Sequence, residues 1–93
     1  MTQPALQQAA LTVSTATTEL ITRILSHYPQ AQIRSRAIPL TDEDISLEVV
    51  LPGSMSEIYA AREWVYDVVI ELQERYDLTI LVSVIPPEGE GHL

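Results

Sequence analysis

The longest unbroken pattern in the chain is an apolar stripe between Ser54 and Tyr76. Ile58, Ala61, Val65, Val68, Leu72 and Tyr76 recur at steps of three and four, which sets them on one face of a helix. Ser54 and Glu57 stand just ahead of the stripe with the spacing of a capping box, so the helix is predicted to start at Ser54. A short break at Asp77 leads into Leu78 to Ile85, a β-branched run that reads as a strand and ends at Pro86-Pro87. Leu78, Ile80, Val82 and Val84 share one face of that strand, and Leu81 and Ile85 lie on the other. It is therefore expected to be covered on both sides, by helices or by another subunit.

Earlier in the chain, Leu20, Ile21, Ile24, Leu25 and Tyr28 form a second helical stripe that Pro29 ends. The helix is predicted over 17–27. Four threonines and a serine between Thr12 and Thr18 resist helix, so residues 1–14 are expected to form a flexible segment or a loosely held helical start. Ala31 to Ile38 alternates, with Ile33, Ser35 and Ala37 on one face and Gln32, Arg34 and Arg36 on the other. After a turn at Pro39 to Asp42, Glu43 to Leu51 alternates again, with Ile45, Leu47, Val49 and Leu51 facing inward. Paired as a hairpin, these strands place Arg34 and Arg36 opposite or diagonal to Asp44, Ser46 and Glu48.

The predicted order is helix, strand, strand, helix, strand. This is an α+β domain over residues 15–87, a small three-stranded sheet with helices packed on it. Residues 88–93 read as a flexible tail.

Composition narrows the function classes. Thirteen acidic residues against five arginines give a net charge of −8, and there is no lysine. Nucleic-acid binding needs clustered cationic side chains, so no nucleic-acid partner is expected. The acidity reads first as solubility, and alternatively as a face for a basic partner. With no cysteine there is no disulfide or thiolate metal site. No apolar run approaches the ~20 residues of a membrane span, and a cytoplasmic protein without a cofactor is expected.

Few side chains suggest chemistry. His27 lies near a helix C-terminus and His92 near the end of the chain, without a nucleophile or a metal-ligand partner at a recognisable spacing. Asp42, Glu43, Asp44 and Glu48 surround the start of the second strand, but Asp44 and Glu48 would be about 13 Å apart along it. The richer signal is a second stripe on the Ser54–Tyr76 helix: Met55, Tyr59, Arg62, Tyr66 and Ile70, with Trp64 also off the core face. Such residues are enriched where proteins touch. With Leu81 and Ile85 on the last strand, Tyr59, Trp64, Tyr66 and Ile70 are the expected interface, and a homodimer or another protein partner is expected to cover it.

From Glu19 to Glu88 the chain resembles the small nucleotidyltransferase-like domains of the polymerase-β type. Ser35-Arg36-Ala37 resembles the Ser-Arg-Ala part of their first motif, and Asp42-Glu43-Asp44-Ile45-Ser46-Leu47 resembles their Asp-Ser-Asp-Ile-Asp-Leu strand. The resemblance implies magnesium-dependent transfer by Asp44 with Asp42 or Glu48, and Ser35 as a further residue of that site. The departures fall on those parts. Arg34 stands where the family has the glycine that admits the phosphates, and Ser46 stands where it has the second metal-binding aspartate. Two-metal chemistry needs clustered acidic ligands, so the kinship implies a degenerate, non-catalytic relative. A ferredoxin-like or KH-like binding module suits the same order of elements.

Overall fold

In a computed structural model, which describes residues 4–35 and 42–87 and side chains from residue 10 onward, the expected order is present. Helix α1 is Pro4–His27, strand β1 is Gln32–Ser35 and β2 is Ile45–Val50. Helix α2 is Met55–Tyr76 and β3 is Ile80–Ile85. The strands lie in the order β1-β2-β3, with β1 antiparallel and β3 parallel to β2. The domain is α+β, and β3 is an edge strand.

Both helices cover the same face of the sheet. Ala16, Leu20 and Ile24 of α1, Ile58, Ala61, Val65, Val68, Val69 and Leu72 of α2, and Ile45, Leu47, Val49, Ile80 and Val84 of the sheet form one apolar cluster. The second face of β3 is therefore not covered by a helix. Leu81 and Ile85 lie there, half-buried, beside Ser46 and Val50 of the central strand. Val50 is buried because Gln32 and Ile85 flank it on both sides.

The helix α1 reaches back to Pro4, across the threonines that were expected to resist it. Thr17 Oγ1 donates to Val13 O at 2.7 Å, so this hydroxyl bonds within the helix instead of competing with it. Ala16 anchors the same turn in the core. At the far end of the helix pair, Arg23 makes two bonds to Glu71, at 2.9 and 3.2 Å. Arg75 bridges Glu19 and Glu71, and the Tyr76 hydroxyl donates to Glu19 at 2.8 Å. These side chains tie α1 to α2 across more than forty positions of sequence.

The Tyr76 hydroxyl, then Arg75, holds the Glu19 carboxyl below the usual glutamate range, and Arg23 does the same for Glu71. A lowered carboxyl contributes stability that is complete above the unfolded value of about 4.3 and is lost as pH falls through the lowered one. The expected result is that Glu19→Gln with Glu71→Gln flattens the loss of melting temperature between about pH 6 and pH 3. An unchanged acid slope would show that the network adds nothing to pH-dependent stability.

Candidate functional site

The exposed stripe of α2 and the free edge of β3 meet in one groove of about 620 Å³. Arg62, Val65, Tyr66 and Val69 line it from the helix, and β3 lines it along its whole length. Tyr59 and Tyr66 are 55% and 64% exposed, and Met55 and Ile70 are also exposed. The second stripe thus remains outside the core, as its polar and aromatic composition predicts.

Backbone pairing explains what the edge offers. Thr79 O and Ile85 O accept from β2 and from Leu51, so the odd-numbered residues of β3 face β2. In a parallel ladder the alternate residues, Ile80, Val82 and Val84, then turn their N–H and C=O groups to the free side. Two of those six groups are met within the chain. Gln73 Oε1 accepts from Ile80 N at 2.8 Å, and Arg62 Nε donates to Val84 O at 3.0 Å. Arg62 also lies over the Tyr59 ring, 5.3 Å from its centroid. Among the described residues, none bonds the Ile80 C=O, the Val82 N–H and C=O or the Val84 N–H.

The other expected residues are distributed differently. Trp64 is half-buried at the α1–α2 junction, stacked on His27 at 4.2 Å and edge-on to Tyr28 at 5.6 Å. Its ring is thus engaged within the chain. Asp44 Oδ2 accepts from Thr79 N at 2.8 Å, which secures the entry to β3. Glu48 pairs with Arg34 across the β1–β2 ladder at 3.0 Å, the hairpin contact that the alternation predicts. Arg36 and Ala37, the Pro39 to Thr41 part of the turn and residues 88–93 lie outside the described residues.

These placements put Ser35 and Glu48 on opposite faces of the sheet and give Asp44 a structural partner. Ser35 is opposite Leu47, on the helix-covered side of the sheet, while Glu48 lies on the other face. Asp42 is exposed, and Ser46 Oγ is enclosed, without a hydrogen-bond partner among the described residues. Among the described residues no three histidine or acidic side chains converge on a metal-sized site. The donor set does not fit a two-metal centre.

The described arginines do not form a basic patch either. Arg23, Arg34 and Arg75 pair with carboxylates, and Arg62 is committed to the β3 edge. No described helix is long and apolar enough to cross a membrane. Neither the edge position of β3 nor the two side chains that cap it can be read from strand periodicity. Arg62 in the second stripe of α2 was the nearest signal.

No known protein family, curated protein or solved structure matches the chain.

Proposed function

We propose that this protein is a non-catalytic interaction module, built on a degenerate nucleotidyltransferase-like frame, that takes an extended protein segment along β3. The observation that carries the reading is the open stretch of β3 between Arg62 and Gln73, beside an apolar groove. Unpaired edge groups are a template for another strand, and an adjacent pocket supplies side-chain selectivity. Exposed Tyr59, Tyr66 and Ile70 add the apolar and aromatic surface that such contacts use. A cysteine-free aliphatic core needs no oxidising compartment, and the reading places the protein in the cytoplasm.

Catalysis by Asp44 is the competing reading, since the α-β-β-α-β order suits the frame that the resemblance implies. The bond from Thr79 to Asp44 weighs against it, because it gives that carboxylate a structural task. The test is thermal unfolding with ATP or GTP and magnesium. A ligand raises the melting temperature only by binding the native state, and no shift is expected. A saturable rise abolished by Asp44→Ala would overturn the non-catalytic reading.

A further inference from the structure

We infer that the segment received by β3 is β3 of a second copy, run antiparallel about a two-fold axis at Val82, so that two sheets join into one of six strands. The inference rests on the interaction reading above and names its partner.

The pattern of open groups on the edge selects this arrangement. In an antiparallel pair, residues opposite each other exchange two backbone bonds at alternate positions. Centring the axis on Val82 lets the Val82 N–H and C=O of one copy meet the same groups of the other. Ile80 then lies opposite Val84 of the second copy, and each Val84 N–H reaches an Ile80 C=O. All four open groups on each edge are used, giving four bonds across the seam. The one bond of this register that competes with existing contacts is Ile80 N–H to Val84 C=O. Gln73 already meets that N–H and Arg62 already meets that C=O. A two-fold axis at Leu81 would instead leave the Val82 C=O and the Val84 N–H unmet. The open and capped groups are therefore each complementary under one axis, as self-association requires.

Size is consistent with this. A stable interface covers about 800 Å² on each partner, roughly one eighth of the 6410 Å² this chain exposes. The paired edges run about 20 Å. Both helices lie on the same side of the joined sheet, so α2 of each copy borders the seam. Tyr59 and Tyr66, both more than half exposed, together offer roughly 250–300 Å² there. The axis also sets the outer-face neighbours, with Leu81 of one copy directly opposite Ser83 of the other.

Sedimentation equilibrium between ~1 and ~100 μM tests the assembly, with a mass of twice 10.4 kDa expected. Val82→Pro removes the two central donors but none of the β2–β3 ladder, and is expected to weaken the dimer roughly thirtyfold. Tyr66→Glu changes an exposed side chain beside the seam and serves if the proline variant fails to fold; it too should weaken the dimer, with the helical spectrum retained. Register is read separately by mixing Leu81→Cys and Ser83→Cys chains under mild oxidation. Their Cα atoms would lie about 4.5 Å apart across the seam, within disulfide reach, whereas like-with-like pairs would be about 8 Å apart. Mixed disulfides should dominate. A monomeric mass at ~100 μM, a dimer indifferent to both variants, or a predominance of like-with-like disulfides overturns the inference. None of these results resembles a nucleotide-induced melting shift, which would instead overturn the non-catalytic reading above.

Discussion

Replacing Leu72 with alanine is expected to cost about 2–5 kcal/mol of folding stability, the largest loss we anticipate from one apolar truncation. Leu72 is fully buried on α2, in the cluster that joins α1 to β2 and β3. The truncation loses transfer free energy and leaves a cavity that the surrounding elements close only in part. Two helices and three short strands have little capacity to relax around it. A domain of this length holds about 5–14 kcal/mol in total, so one side chain accounts for a large part of it. The melting temperature should fall by at least ~8 °C, since each kcal/mol moves a domain of this size by about 4–8 °C. Tyr66→Ala, on the opposite stripe of the same helix, should change monomer stability by less than about 0.5 kcal/mol. Both measurements belong at a concentration low enough that no dimer contributes. Similar losses for the two variants would mean that the stripes of α2 are not divided into core and surface as the burial indicates.

That division was legible in the spacing alone. Ile58, Ala61, Val65, Val68 and Leu72 are buried, and Tyr59, Tyr66 and Ile70 are exposed, because a helix converts position in sequence directly into direction. The β1–β2 hairpin was legible for the same local reason, and Arg34 meets Glu48 as the alternation implies. Parts that depend on distant residues were not legible. The place of β3 at the edge follows from strand order, which no period encodes, and the apolar residues on both its faces suggested cover rather than an open side. Trp64 was expected at an interface because it falls off the main stripe, yet His27 and Tyr28, nearly forty positions earlier, occupy its faces. The threonines of α1 misled for a different reason. Propensity ranks an isolated residue, whereas Thr17 bonds back to Val13 and Ala16 anchors its turn in the core. The candidate acidic residues were visible as a group in sequence, but strand geometry separates Asp44 from Glu48 and gives each its own partner.

The start of α2 supplies the second large effect. Gly53→Ala is expected to destabilise the domain by about 2–4 kcal/mol, although the residue is exposed and lies in a turn. Its φ of +143° is well beyond the left-handed region near +57° that Asp77 occupies at +54°. An added Cβ brings strain of about 1–3 kcal/mol there. It would also stand 2.9 Å from Glu57 Oε1, the atom that accepts from Ser54 N at 2.7 Å. Moving that carboxylate breaks half of the capping box, while Ser54 Oγ still accepts from Glu57 N at 3.1 Å. The Ser54 N–H bond is also the chief reason the Glu57 carboxyl is held below its usual range. A double-mutant cycle separates the two contributions. Glu57→Ala removes the box alone, at about 0.5–2 kcal/mol, and in that background Gly53→Ala should retain its backbone cost and lose the steric part. The measurement is chemical denaturation of the four chains, with the single alanine at position 53 costing more than the one at 57. If Gly53→Ala stays within about 0.5 kcal/mol of the parent, the turn has room to relax, and entry into α2 does not depend on glycine.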